Sequence, residues 1–210
     1  MPREYAAGFR GQREVLNTHR AWDPGAAILA EQLRDDLQVV AHFGEFTRLL
    51  VDLNRRETSP AVFSEFTPET RKQDLLAYHR RWRAELQAYT LLDAEPSLHV
   101  SCHSFTPVWN GVERRVDVGI LFDPSRRIEA TLARSWQSKL AALLPGLRIR
   151  RNNPYRGVSD GTTSWLRKLH TPNQYAGIEL ELNQRFASLP AKEWAGIRAA
   201  IVKVVGNNLA

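Results

Sequence analysis

Hydrophobic positions recur at the spacing of an α-helix in four parts of the chain. In each part the apolar side chains fall three or four residues apart, which places them on one face of a helix. Around Trp136, for example, Leu132 and Leu140 share such a face. The pattern predicts helices over residues 24–37, 69–90, 125–144 and 190–205.

Short apolar runs of strand length lie between these predicted helices. They are residues 49–51, 98–102, 116–122 and 176–182, with weaker runs at 39–41 and 147–150. Helices that alternate with nearly continuous apolar strands are typical of a layered α/β domain with a largely parallel sheet. Because no repeat, low-complexity tract or long linker divides the sequence, we predict a single domain over residues 1–210.

Polar side chains stand at or near the ends of these runs. Asn54 and Arg55 follow the first run and His103 follows the second, while Glu179 and Glu181 lie inside the fourth. The two glutamates share one face of that run, because side chains alternate along a strand. Ligands of α/β folds bind beyond the carboxyl ends of the strands. We therefore expect His103, Asn54, Arg55 and Glu181 to share a cleft.

Each of these residues also has a purely structural interpretation. The glutamates fit a half-exposed edge strand, and a single histidine after an apolar run is often a hydrogen-bonded structural residue. Asp23, directly before Pro24, fits the N-cap of the first predicted helix. A set of an Asn-Arg pair, a histidine and an acid at strand ends favours chemistry, since metal-assisted amide hydrolysis requires such groups.

Composition and motif content bear on whether the protein binds nucleic acid or a small molecule. The formal charge is +6, and only five of the 29 basic residues are Lys. The Arg residues are spread along the chain, so a solvated surface or recognition of a small carboxylate is favoured over nucleic-acid binding. No phosphate loop, Gly-x-Ser-x-Gly elbow or His-Glu-x-x-His helix is present.

Cysteine usage and hydropathy bear on the compartment. The only cysteine, Cys102, excludes an internal disulfide and fits a core position. No run approaches the roughly 20 apolar residues of a membrane span, and the first residues lack the apolar stretch of a signal peptide. The expected location is therefore the cytoplasm, with no membrane partner.

Five segments resemble the N-formylglutamate amidohydrolase family, in the family's order. They are residues 18–26, 47–55, 101–105, 153–157 and 176–183. The resemblance covers about residues 1–186 and implies a three-layer αβα sandwich with a mixed, mostly parallel sheet, like that of zinc exopeptidases and aspartoacylases. It also implies hydrolysis of a carboxylate-bearing N-acyl amino acid such as N-formylglutamate.

The resemblance implies roles for individual residues. His103 matches a metal ligand, with zinc or another divalent ion as the cofactor, and Glu181 matches the general base, with Glu179 ranked second. Asn54 and Arg55 match the pair that holds the substrate carboxylate. Arg48 and Arg156 complete the expected substrate site, and Asp23 and His19 complete the expected metal site.

The chain departs from the family at its start. Family members begin with a strand that ends in Glu-His-Gly-Gly or similar, and that His is a metal ligand, whereas Met1-Pro2-Arg3 resembles the sequence just after it. A start codon assigned too far downstream, a shortened chain and a degraded member would each produce this departure. We expect weak metal binding and slow hydrolysis. The alternative is a catalytically impaired member that binds carboxylate ligands.

Overall fold

Four strands form one mixed sheet in the computed structural model, which describes residues 3–91 and 96–207. They are β1 (Ser97–Phe105), β4 (Val118–Leu121), β5 (Ile149–Arg151) and β6 (Tyr175–Asn183), in the spatial order β1-β6-β4-β5. β6 is parallel to β1 and antiparallel to β4, and β4 is parallel to β5. A short ribbon of β2 (Val108–Trp109) and β3 (Val112–Glu113) follows β1.

Helices lie on both faces of this sheet. They are α1 (Ala26–Leu37), α2 (Lys72–Tyr89), α3 (Arg127–Leu143), α4 (Thr162–Leu169) and α5 (Ala191–Gly206). α1, α3 and α5 share the main core with one face of the sheet, and α4 packs against β6. The predicted α/β sandwich with a mostly parallel, mixed sheet is confirmed. No helix in the described ranges is long and apolar enough to cross a membrane.

β6 shows why one strand carries both core and polar side chains. Ile178, Leu180 and Leu182 point to the core made with α1, α3 and α5. Glu179 and Glu181 point to the opposite face, as alternation requires. β6 lies between β1 and β4, and all nine of its residues are buried. The interpretation of these glutamates as part of a half-exposed edge strand is therefore wrong.

Two predicted strands are absent from the described residues. Residues 49–51 form a buried turn and residues 39–41 an irregular, partly exposed segment. The carbonyl of Leu49 accepts hydrogen bonds from the side chains of Ser64 and Thr67, and that of Leu50 accepts one from Thr67. Residues 49–51 thus bury their apolar side chains in a second core without strand pairing, because side-chain hydroxyls satisfy the backbone. Apolar periodicity does not distinguish these two outcomes.

Helix α4 was not predicted from the sequence. It is only eight residues long, and Asn54, far away in sequence, accepts a hydrogen bond from the N–H of Thr162 at its start (2.8 Å). That contact satisfies one of the free N–H groups of a helix N-terminus. Because the partner comes from another part of the chain, the usual local capping signal is missing.

A buried ion pair joins α3, α4 and β6. Glu129 is fully buried and its carboxylate lies 2.9 Å from the guanidinium of Arg167. β4 pairs with residues 179–182 of β6 and does not extend to Gly177. There the side chains of Glu129 and Arg167 bond to the backbone in place of a neighbouring strand. The N–H of Gly177 donates to Glu129 (3.0 Å), and its carbonyl accepts from Arg167 (2.9 Å). The pair therefore fixes the position of β6 as well as that of α4.

We expect Arg167→Met to destabilise the protein by about 3–5 kcal/mol, because it leaves the Glu129 carboxylate buried without a counter-charge. Urea unfolding followed by circular dichroism measures this change. Arg134→Met removes an exposed arginine of α3 that donates to the Thr131 hydroxyl, and should change stability by less than about 0.5 kcal/mol. Equal losses in the two variants would contradict the role of the ion pair.

Candidate functional site

His103 and Glu181 lie side by side on the polar face of the sheet. They are direct partners in the parallel register of β1 and β6, each two residues before the end of its strand. Ser101 and Glu179 form the next pair along the same face. The predicted proximity of His103 and Glu181 follows from this register, since side chains of paired residues on one face stand next to each other.

Asp23 orients the His103 ring. Its Oδ2 lies 3.0 Å from Nδ1 of His103, and on the other side of the ring Ser101 Oγ lies 3.0 Å from Nε2. α1 begins at Ala26 with Gly25 as its N-cap residue. The interpretation of Asp23 as the helix N-cap is therefore wrong, and its carboxylate belongs to the polar cluster instead.

Burial and neighbouring charges shift the pKa values in this cluster strongly. Burial raises the pKa of Glu181 to about 7, although His103 nearby lowers it. Burial alone would lower the pKa of His103, but its hydrogen bond to Asp23 and the charges of Asp23, Glu181 and Glu179 raise it to about 9. Near neutral pH, His103 is therefore an imidazolium that donates to Asp23 and Ser101. A protonated ring cannot act as a base toward Ser101, although the three side chains stand in a Ser-His-Asp arrangement.

The two glutamates differ in their partners. Glu179 accepts a short hydrogen bond from the hydroxyl of Thr163 on α4. In Glu181, by contrast, Oε2 is buried with no hydrogen-bond partner. Such a group costs free energy and is rare in native proteins, so its presence points to a role outside stability.

Glycine in β4 makes room beside Glu181. Gly119 pairs with Glu181 across the antiparallel ladder. A Cβ at position 119 would lie 2.3 Å from the carbonyl oxygen of Asn153 and 3.1 Å from Cβ of Glu181. Only glycine therefore lets the loop that carries Asn153 pass over this part of the sheet.

A run of alternating charges leads away from Glu181. Burial lowers the pKa of Arg48, but the charges of Asp52, Asp23 and Glu181 raise it above its usual value. Arg48 contacts Asp23 (2.9 Å) and Asp52 (3.4 Å). Asp52 in turn lies 3.9 Å from Arg55. Two carboxylates therefore already engage Arg48, whereas the guanidinium of Arg55 is 43% exposed and more accessible to a ligand.

The remaining predicted residues, Asn54, Arg156 and His19, have contacts or positions outside this cluster. Asn54 contacts the start of α4 rather than His103. Arg156 is exposed in the loop that reaches Asp160, and the carbonyl of Asp160 accepts from Arg55 (3.4 Å). His19 is exposed, and no hydrogen bond or ion pair among the described residues connects it to His103. The structure therefore does not bring His19 into the site.

The predicted metal ligands form an incomplete donor set among the described residues. Asp23 binds the histidine ring and Arg48, which is the arrangement of a carboxylate that orients a histidine ligand. Nε2 of His103 would have to lose its proton before it could bind an ion, and the Ser101 hydroxyl already contacts it. The free oxygen of Glu181 is the other remaining donor. In residues 3–91 and 96–207 no three His, Cys, Asp or Glu side chains are grouped to hold an ion. These donors alone do not complete a catalytic zinc site, which normally has three protein ligands.

Sequence reasoning missed several residues that contact the predicted site residues. Ser101 contacts His103, and Thr163 contacts Glu179. Asp52 links Arg48 to Arg55. The four-residue spacing of Arg48 and Asp52 was a weak signal for their contact. Ser101 could have been found from strand alternation, since it lies two residues before His103. Nothing local in the sequence indicates the pairing of Thr163 with Glu179.

The two raised pKa values predict that metal-free protein loses stability as pH rises. Glu181 binds its proton more tightly in the folded state, so its contribution is lost between pH 4.5 and about 7. The stabilisation by His103 is present below pH 6.5 and is lost as pH rises to about 9. Urea unfolding with a chelator at pH 5, 7 and 9 measures the trend. His103→Gln should flatten the change above pH 6.5, and His19→Gln should not; equal slopes in all three proteins would refute the assignment.

Comparisons with known proteins identify a family and a similar structure. The N-formylglutamate amidohydrolase family matches residues 1–187. A comparison with curated protein sequences finds no match. The crystal structure of gene product Atu2144 from Agrobacterium tumefaciens is similar over the whole of this chain and 85% of that one, with a TM-score of 0.79 and 28% sequence identity. Since the family match extends over most of the 210 residues, the chain belongs to the N-formylglutamate amidohydrolase family of hydrolases, which act on amide bonds.

Proposed function

We propose that this protein hydrolyses the amide bond of an N-acyl amino acid, with N-formylglutamate as the reference substrate. The observation that carries the proposal is the free, buried oxygen of Glu181 beside His103 on the polar face of the sheet. A carboxylate oxygen that has no partner in the protein can take a proton from water. The family supplies the class of reaction, and the site supplies the groups that would perform it.

Glu181 is the proposed general base. Its pKa of about 7 lies near neutral pH, where a base both accepts and returns a proton efficiently. It takes the proton of the attacking water while the water oxygen bonds to the acyl carbon. It then passes that proton to the leaving nitrogen as the C–N bond breaks, which yields a carboxylic acid and a free amine. Glu179 supports this step by its charge, with Thr163 holding it in place.

Arg55 and Arg156 are the proposed recognition groups for the substrate carboxylate. The Arg156 residue is exposed and the Arg55 side chain is 43% exposed, and the planar guanidinium matches the two oxygens of a carboxylate. Arg48 contributes positive charge closer to Glu181, although Asp23 and Asp52 already engage it. Asn54 holds the start of α4 and so keeps the adjoining Arg55 in place. A fixed carboxylate would orient the scissile amide.

Zinc or another divalent ion is the proposed cofactor, on the basis of the family resemblance; Nε2 of His103 would hold it, with Asp23 orienting the ring. Among the described residues, these groups do not complete a catalytic zinc site. The same incompleteness favours a second candidate function, a catalytically impaired member that binds carboxylate ligands through Arg55 and Arg48. Catalysis and metal content distinguish the two candidates.

Glu181→Gln should lower the rate of N-formylglutamate hydrolysis by about 10²–10⁴-fold, because the amide cannot accept the proton of water. The measurement is release of formate by the purified protein, with folding checked by circular dichroism. Glu113→Gln, an exposed position on β3, is the matched control and should keep the parent rate. Undiminished activity in Glu181→Gln would eliminate the proposed base. Binding of N-formylglutamate without turnover by the parent would support the second candidate.

We expect weak zinc binding, since the described residues supply fewer than three ligands to one site. Protein passed through a desalting column should retain less than one equivalent of zinc by elemental analysis. His103→Gln should bind still less zinc in a titration, and His19→Gln should match the parent because His19 is exposed and apart from the cluster. Stoichiometric zinc in His103→Gln would show that the ion is held elsewhere.

A further inference from the structure

Two side chains of α2 converge on one backbone carbonyl, that of Arg55. His79 Nε2 lies 2.9 Å from this oxygen, and Arg83 Nη2 lies 2.8 Å from it. His79 and Arg83 are one helical turn apart, so they face the same direction. Both are buried, at 1% and 7% exposure. The carbonyl of the Arg55–Arg56 peptide bond is thus held by two buried side chains.

Burial of these two groups carries a cost that their contacts do not fully offset. A carbonyl oxygen only accepts, so Nε2 of His79 must carry the proton and Nδ1 is left as a bare acceptor. Nδ1 of His79 and Nε of Arg83 are both buried without a hydrogen-bond partner. Burial also lowers the pKa of His79, which keeps the ring neutral. Unsatisfied buried groups of this kind call for an explanation, and the Arg55 carbonyl is the contact they have in common.

Arg83 also connects α2 to α4. The Arg83 guanidinium lies 4.8 Å from the ring centre of Trp165 on α4, and it also donates to the carbonyl of Leu53 (3.3 Å). Asn54, between Leu53 and Arg55, holds the start of α4. Residues 53–55 are therefore fixed on two sides by buried contacts.

The Arg55 side chain itself has only loose contacts. Its guanidinium lies 3.9 Å from Asp52 and 3.4 Å from the carbonyl of Asp160, and it is 43% exposed. Such contacts are weak and screened by solvent. The direction of the guanidinium is consequently set by the backbone from which it extends, and the backbone is set by His79 and Arg83.

We propose that His79 and Arg83 are positioning residues that hold Arg55 for the carboxylate of the substrate. This inference rests on the proposed function, because it assumes that Arg55 binds that carboxylate. A loosened Arg55 would keep its charge but would have to become ordered when the substrate binds. Affinity for the substrate would therefore fall, while proton transfer at Glu181 would not change. The pair therefore contributes to substrate binding without touching the substrate.

The test uses steady-state kinetics of the full chain with N-formylglutamate. His79→Leu and Arg83→Met should each raise KM roughly tenfold, about the effect of losing one hydrogen bond, with kcat nearly unchanged. His79→Gln keeps an N–H donor and should recover most of the parent KM. Arg81→Met is the matched control, since Arg81 lies on the same helix, is 65% exposed and contacts Glu85 instead. Its KM should equal that of the parent.

Two further measurements separate the possible failures. A neutral N-formyl amino-acid amide, which has no carboxylate, should show the same KM with the parent and with His79→Leu; an equal rise for this compound would mean a general structural defect and would overturn the inference. Arg55→Lys tests the proposed function itself and should raise KM for N-formylglutamate. If Arg55→Lys raises KM but His79→Leu and Arg83→Met do not, the positioning role is wrong. If Arg55→Lys has no effect, the carboxylate assignment fails. Calorimetric binding of N-formylglutamate gives the same comparison should turnover be absent.

Discussion

The parallel register of β1 and β6 is the constraint on which the site depends. It pairs His103 with Glu181 and leaves Ile178, Leu180 and Leu182 on the core face. A shift of one residue would exchange the two faces and place the charged side chains in the apolar core. The ion pair of Glu129 and Arg167 opposes such a shift, because it holds both backbone groups of Gly177 near the start of β6.

Most carboxylates on the polar face have a partner for their charge or a hydrogen-bond donor. The exception is Glu181, the proposed general base. Asp23 has His103 and Arg48, and Glu179 has Thr163. In this cluster, Oε2 of Glu181 is buried without a hydrogen-bond partner. The resulting pKa of about 7 reflects that burial, so the cost to stability and the capacity to exchange a proton have the same origin.

Most of the fold could be predicted from periodicity. The helices of the main core and the strands β1, β4 and β6 have long or strongly apolar patterns, and the structure places them within a few residues of the predicted ends. The predicted strand at residues 49–51 was wrong because Ser64 and Thr67 satisfy its carbonyls through contacts that no local pattern encodes. Helix α4 was missed for the same reason, since Asn54 caps it from far away in sequence.

The sequence by itself determined the family, the α/β class and the alternation that puts Glu179 and Glu181 on one face, because these depend on residue types and local spacing. Tertiary structure alone decided which candidates meet. It joined Asp23 and Ser101 to His103, left His19 on the surface, and turned the buried groups of His79 and Arg83 toward the carbonyl of Arg55. The physical reason is that partners of buried charges are chosen by packing between distant segments, whereas strand and helix patterns are set by neighbours along the chain.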